Sequence, residues 1–195
     1  MSEQAKTRQR PADVYFFATC VVDQFFPGAG MDAITLLEKQ GIRVHFPEEQ
    51  TCCGQPAYTS GFPDEARKVA AHQLTLFPND WPVVVPSGSC AGMMKHHYPT
   101  LFAADPQRKA KAEALSARIY EFTDFLVNVL GWQPEDKGGD CTVGLHTSCS
   151  ARREMGVHLT GRQLLGGLDK VTVAMQDHES ECCGFGGTFS IKQPE

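Results

Sequence analysis

The chain has 195 residues, enough for one large domain or two small ones with their own hydrophobic core. Its net charge is -5 and its basic residues are scattered, which excludes the basic surface of a nucleic-acid-binding protein. No apolar run is long enough for a transmembrane segment, and the polar residues 1–11 predict a disordered lead-in rather than a signal peptide. We therefore expect a cytoplasmic protein whose eight cysteines stay reduced.

The first two thirds of the chain alternate between strand and helix patterns. Short apolar runs bounded by proline or glycine predict strands at 13–19, 42–46 and 82–85. Apolar residues at helical spacing predict helices at 31–40, at 64–76 with Asp64 as the N-cap, from about 91 onward, at 106–117 and at 120–130. The alternation favours an α/β fold with a parallel sheet.

The pattern then restarts in the last third of the chain. Strands are predicted at 142–146 and 171–174, with a helix at 159–168 between them. The step from Cys20 to Cys149 is 129 residues, and the step from Cys52 to Cys182 is 130. Two distances that agree so closely indicate two copies of one fold unit.

We therefore predict two pseudo-repeated halves, each a small parallel sheet flanked by helices. The first half is expected at 12–132, and the polar, glycine-containing segment 133–140 is expected to be a linker. The second half is expected at 141–195 and to be incomplete, because only twelve residues follow Cys183.

The cysteines of the first half follow the ends of predicted strands. Cys20 follows the first strand, the pair Cys52 and Cys53 follows the second, and Cys90 follows the third. Because the carboxyl ends of parallel strands share one edge of a sheet, these four thiols are expected to converge. A cysteine-only set suits an iron-sulfur cluster or a structural zinc ion.

The adjacent pair favours a cluster, because neighbouring thiolates can bind two metal atoms that lie close together. Gly54 after the first pair, like Gly184 after the second, would let the backbone wrap tightly around it. The alternative is a set of buried thiols without a ligand, which the repeated spacing argues against. Cys141 fits neither copy and is expected to be a structural thiol, while Arg152 and Arg153 are expected on a solvated face.

The segments Thr51-Cys52-Cys53-Gly54-Gln55-Pro56-Ala57 and Glu181-Cys182-Cys183-Gly184-Phe185 carry a family resemblance. With His146-Thr147-Ser148-Cys149, they resemble the cysteine-rich "CCG" domain proteins, to which a component of heterodisulfide reductase also belongs. The sequence of these segments is similar in particular to the lactate utilisation protein A branch, whose members are the iron-sulfur subunits of L-lactate oxidation. The resemblance implies an electron-carrying subunit that acts with partner subunits, one of them a second iron-sulfur protein, in oxidising L-lactate to pyruvate.

The resemblance also implies which residues hold the cofactor. The expected ligands are Cys20, Cys52, Cys53 and Cys90 in the first half and Cys149, Cys182 and Cys183 in the second. The cofactor implied is an iron-sulfur cluster of the 4Fe-4S kind, with zinc as an alternative at the second site. Met93 stands where the wider family has a further cysteine, so the first site is expected to have four thiolates rather than five.

The leading hypothesis is thus a non-catalytic or co-catalytic subunit of an L-lactate dehydrogenase complex, with no catalytic residue assigned. Two alternatives remain open at this point. One is a disulfide reductase that, like heterodisulfide reductase, cleaves a disulfide at a cluster, and the other is a zinc-stabilised interaction module.

Overall fold

A computed structural model of the chain describes residues 10–181. The predicted lead-in at 1–11 falls almost wholly outside this range, and so do Cys182, Cys183 and Gly184.

The first half contains a four-stranded parallel sheet. Its strands are β1 (Asp13–Phe16), β2 (Arg43–His45), β3 (Val83–Val85) and β4 (Ile119–Glu121). The order across the sheet is β2-β1-β3-β4, and every neighbouring pair is parallel. The predicted α/β class is confirmed.

Helices connect these strands and cover both faces of the sheet. They are α1 (Cys20–Phe25), α2 (Pro27–Lys39), α3 (Gln55–Thr59), α4 (Pro63–Gln73), α5 (Gly88–Gly92), α6 (Tyr98–Leu101), α7 (Pro106–Ser116) and α8 (Phe122–Asp124). Two π-helical turns, Met93–His97 and Phe125–Val129, directly follow α5 and α8.

Two apolar layers explain why the central strands β1 and β3 are hydrophobic on both faces from Val14 and Val83 onward. Tyr15 and Val83 belong to the core on one face of the sheet, whereas Val14, Phe16 and Val84 belong to the core on the other. A strand buried on both faces needs apolar side chains at every position. The first-face core also contains Cys53 and Cys90, so two of the predicted thiols are part of that core.

The second half repeats this plan on a smaller scale. Its strands β5 (Cys141–Gly144) and β6 (Val171–Ala174) are parallel, and α9 (Cys149–Met155) and α10 (Val157–Gly166) lie between them in the chain. Asp13 pairs with Arg43 in the first half, and Cys141 pairs with Val171 in the second, so both partners are displaced by 128 positions. The structure thus confirms the predicted repeat at the level of strand register.

The two halves meet where α9 packs on α5. An ideal β-carbon added to Gly88 would stand 2.5 Å from Cβ of Ala151, and one added to Gly92 would meet the side chain of Glu154. Because glycines occupy these two positions one turn apart, the helix backbones come very close. The helix that carries Cys90 is thereby fixed against the helix that begins at Cys149.

Two local predictions were wrong. Residues 119–121 form strand β4 rather than the start of a helix, because Ile119 and Glu121 are buried beside β3. The fourth helix begins at Pro63, and Asp64 pairs with Arg67 instead of capping the helix. Cys141 is exposed at the start of β5. Within residues 10–181, no helix is long and apolar enough to cross a membrane.

Candidate metal centre

The structure brings together the four predicted thiols of the first half. Cys20 is the first residue of α1, the pair Cys52 and Cys53 lies in the loop before α3, and Cys90 is the third residue of α5. The sulfurs of Cys20 and Cys52 are 4.0 Å apart. Cys53 interacts with the thiols of both Cys52 and Cys90. Three segments that are distant in the sequence therefore place their thiols in one group.

Cys20 is held in place by a helix start. The hydroxyl of Thr19 accepts a hydrogen bond from the backbone N–H of Val22, as an N-cap side chain does. Cys20 therefore stands in the first turn of α1. Its side of the group is the more open one, since Cys20 is partly exposed whereas Cys53 is 1% exposed.

A left-handed residue shapes the Cys-Cys-Gly loop. Gly54 has a φ of 85°, a backbone angle that residues with a side chain rarely adopt. A β-carbon at this position would also stand 3.3 Å from the carbonyl oxygen of Ala66. This conformation lets the N–H of Gly54 donate to the sulfur of Cys52 at 3.4 Å. Glycine is therefore required at position 54, both by the positive φ of the turn and by the close approach of the Ala66 carbonyl.

Side chains from outside the loop hold it from several directions. The amide nitrogen of the fully buried Gln73 donates to the hydroxyl of Thr51 at 2.7 Å, and the amide of Gln50 donates to the carbonyl of Phe16. On the inner side, the hydroxyl of Tyr98 donates to the carbonyl of Cys53 at 2.9 Å. The loop is thus tied to β1, to α4 and to α6.

The thiols influence one another's ionisation. The pKa of Cys52 falls to about 6, chiefly through its hydrogen bond with the Cys53 thiol and also through the N–H of Gly54. The pKa of Cys90 is lowered, first by the Cys53 thiol and then, after opposing burial, by the hydroxyls of Ser87 and Ser89.

The other two thiols shift in the opposite direction. Burial, with the neighbouring Cys52, raises the pKa of Cys20 to about 11. The pKa of Cys53 rises because its thiol donates hydrogen bonds to Cys52 and Cys90, and because it is buried. Thiols so close to one another oppose full ionisation of the group, and a bound cation would remove that opposition.

The donor set fits an iron-sulfur cluster. It consists of four cysteine sulfurs, which is the ligand set of 2Fe-2S and 4Fe-4S clusters, and two of its members are already biased toward thiolate. Among the described residues, no three His, Cys, Asp or Glu side chains are arranged to hold a single metal ion. A 4Fe-4S cluster does not need that arrangement, because its four cysteines are divided among several iron atoms.

The second half shows only part of its predicted site. Cys149 is the first residue of α9, as Cys20 is of α1, and Ser148 precedes it as Thr19 precedes Cys20. Cys182 and Cys183 lie outside the described residues.

An ion-pair network on the second half was not predicted. The carboxylate of Glu179 pairs with Arg152 at 2.9 Å and with Arg162, and its side chain is 12% exposed. Arg152 is therefore not part of a solvated face, although Arg153 is exposed. The network ties the chain three residues before Cys182 to the helix that begins at Cys149.

Sequence reasoning also missed three residues that support the first group. Thr19 could have been found, because a threonine or serine before a cysteine occurs in both halves. Nothing in the sequence distinguishes Gln73 or Tyr98, since their partners are 22 and 45 positions away.

Comparison with known proteins agrees with the repeated, cysteine-rich character of the chain. A family model described as "Cysteine-rich domain" matches residues 14–95 and 143–195. Lactate utilization protein A 1 of Bacillus mycoides is 45% identical over 185 residues, covering 93% of this chain and 74% of that protein. Lactate utilization protein A of Shouchella clausii is 43% identical over 184 residues, covering 93% and 76%. The same-named protein of Geobacillus kaustophilus is 43% identical over 181 residues, covering 92% and 74%.

Proposed function

This chain belongs to the cysteine-rich domain family, in its lactate utilization protein A branch, and from that premise we propose that it is the iron-sulfur, electron-carrying subunit of a complex that oxidises L-lactate to pyruvate. The observation that carries the proposal is the convergence of four thiols from three separate segments. A chain of this length can bury a stable core without thiols held together by a ligand, so stability alone does not account for such a group.

In this proposal, Cys20, Cys52, Cys53 and Cys90 hold a 4Fe-4S cluster. When bound, such a cluster supplies one-electron transfer. The chain's own residues then fix the ligands and limit access of water. Gly54 and Tyr98 fix the loop of the adjacent pair, the N-terminus of α5 favours the thiolate of Cys90, and the first-face core excludes water from Cys53.

Oxidation of L-lactate to pyruvate releases two electrons and two protons, so a carrier of single electrons must work with other redox centres. Partner subunits, among them a second iron-sulfur protein, complete the complex in this proposal, and the protein works in the cytoplasm. The names of the relatives place those proteins in lactate utilisation. Cys20 is partly exposed on the open side of the thiol group, and in this proposal a partner subunit approaches from that side.

We further propose that Cys149, Cys182 and Cys183 form the second site, with iron-sulfur or zinc as its metal. The equivalent placement of Cys20 and Cys149 at the start of a helix supports this assignment. The pairing of Glu179 with Arg152 supports it as well, because it holds Glu179, three residues before Cys182 in the sequence, beside α9.

Anaerobic purification followed by iron, zinc and acid-labile sulfide analysis tests the proposal. Iron and sulfide in matching amounts, with visible absorbance that bleaches on reduction by dithionite, are expected. Stoichiometric zinc with no visible absorbance would favour the interaction module instead. A protein that takes up neither metal after reconstitution with iron and sulfide would overturn the proposal.

A further inference from the structure

Tyr98 is a core residue whose hydroxyl contacts the Cys-Cys-Gly loop. It is fully buried, and its hydroxyl donates to the carbonyl of Cys53 in a hydrogen bond shielded from water. A phenylalanine would fill nearly the same volume without bringing a polar group into the core. The acceptor belongs to the middle residue of the Cys-Cys-Gly loop.

The position of Tyr98 depends on a π-helical turn. Met93–His97 winds with the wider π geometry directly before α6, which begins at Tyr98. Turns of this kind are rare and are frequent at functional sites. The turn is fixed from outside, because the hydroxyl of Ser116 donates to the carbonyl of Met94 at 3.0 Å and the ammonium of Lys95 donates to the carbonyl of Ile119 at 2.8 Å.

The π turn has a direct consequence for the tyrosine. One extra residue per turn rotates everything that follows by about 100° relative to a regular α-helix. Here the rotation leaves Tyr98 facing Cys53 inside the first-face core, where Met93 and Cys90 also lie. The wider turn is thus part of how the fold presents the hydroxyl to the loop.

An ordinary core tyrosine supplies the contrast. Tyr15 is also buried, but its hydroxyl accepts hydrogen bonds from the backbone and the side chain of Asn79, in the loop before β3. Tyr98 instead contacts the backbone of a proposed cluster ligand, and the thiols of Cys53 and Cys90 act electrostatically on its phenol. The two tyrosines are therefore comparable in burial and differ in what their hydroxyls hold.

We infer that Tyr98 is a positioning residue of the thiol group: its hydroxyl fixes the carbonyl of Cys53 and lowers the electrostatic cost of placing an additional electron beside that ligand. The inference rests on the proposed function for its redox part only. The positioning part concerns the loop itself and applies to the metal-free protein.

The physical reason for the redox part is the orientation of a dipole. A buried carbonyl without a partner directs its negative end into a region of low dielectric, where it disfavours further negative charge. The hydroxyl of Tyr98 neutralises that end. Removal of the hydroxyl should therefore destabilise the reduced, more negative state and shift the midpoint potential to a lower value.

Tyr98→Phe tests the inference, with Tyr15→Phe as the matched control. In the metal-free protein, mass spectrometry of the Cys53 peptide follows the modification of this thiol by N-ethylmaleimide. The modification rate should rise roughly fivefold in Tyr98→Phe, because the loss of one hydrogen bond shifts the equilibrium between the closed and the open loop by about that factor. Tyr15→Phe should leave that rate unchanged. In the reconstituted protein, Tyr98→Phe should have a more negative midpoint potential and an altered electron paramagnetic resonance spectrum of the reduced state.

Ser116→Ala extends the test to the π turn. It removes the donor to Met94 without touching the thiols, so it should raise the modification rate of Cys53 in the same direction as Tyr98→Phe. If Tyr98→Phe and Tyr15→Phe give the same modification rate and the same potential, the inference is wrong. If the wild-type protein takes up no iron and sulfide, the proposed function fails, while the modification rates still decide whether Tyr98 positions the loop.

Discussion

Gly88 of the first half and Ala151 of the second touch without a side chain between them: a β-carbon on Gly88 would stand 2.5 Å from Cβ and 2.8 Å from Cα of Ala151. Backbone cannot move aside as the end of a flexible side chain can. Because α5 carries Cys90 and α9 begins at Cys149, this contact fixes the position of Cys90 relative to Cys149.

Gly88→Ala should therefore destabilise the protein. Overpacking against Ala151 is expected to cost about 1–3 kcal/mol in the free energy of unfolding, measured by urea denaturation. Gly28→Ala in α2 is the control, because nothing lies within 4 Å of the added carbon and its effect should be neutral or slightly stabilising. Adding Ala151→Gly to the Gly88→Ala variant should restore part of the lost stability. If Gly88→Ala and Gly28→Ala change the free energy of unfolding equally, the close contact is contradicted.

Gly54→Ala should impair both the fold and the uptake of metal. A side chain at its positive φ is expected to cost about 1–2 kcal/mol, and the carbonyl of Ala66 leaves little room for it. Gly41 has a φ of 76° and open space around it, so Gly41→Ala should cost similar stability and leave the iron and sulfide content per chain unchanged. If Gly54→Ala retains full metal content, the loop conformation is not needed for the site.

Cys90→Ser should lower the iron and sulfide content, because a hydroxyl is a far poorer iron ligand than a thiolate. Serine keeps the size of cysteine, so the far-ultraviolet circular dichroism should not change. Cys141→Ser supplies the control, since Cys141 is exposed on β5, away from the thiol group. Equal metal content in the two variants would remove Cys90 from the proposed ligand set.

The burial of the Glu121 carboxyl should make the stability of the protein depend on pH. Burial raises the pKa of its carboxyl, despite hydrogen bonds from Thr123 and from the N–H of Asp124 that act in the opposite direction. The folded state therefore favours the protonated carboxyl. Protonated Glu121 stabilises the fold below the pKa of about 4.3 that the carboxyl has in the unfolded chain, and this contribution is lost as the pH rises through the higher pKa of the folded state.

Glu121→Gln tests this dependence. Its amide oxygen can accept the same hydrogen bonds without a charge, so its stability relative to the wild type should increase between pH 4 and pH 7 in denaturation experiments. The exposed Glu113, which pairs with Lys109, supplies the control substitution Glu113→Gln, for which no such increase is expected. A difference between Glu121→Gln and wild type that stays constant with pH would contradict the prediction.

Several features of the fold could be predicted because they depend on local pattern. Residues 14–16 of β1 and the strand Val83–Val85 are continuous apolar runs, and such runs indicate strands buried on both faces. The register of β5 and β6 follows from the repeat of the sequence itself.

Other features depend on partners far away in the chain. The segment Ile119–Glu121 has a helix-like context, yet it pairs with Val83–Val85 because its side chains are buried there. The helices that begin at Cys20 and Cys149 were missed, since they are short and depend on tertiary packing more than on propensity.

The sequence by itself thus determined the parallel α/β class, the two copies and the identity of the thiols, because strand propensity, helical spacing and cysteine position are properties of neighbouring residues. Only the tertiary structure decided that Cys20 lies 4.0 Å from Cys52, that α9 docks on the glycines of α5, and that Tyr98 holds the carbonyl of Cys53. Those relationships join residues separated by 32 to 63 positions, and burial in a shared core brings them together.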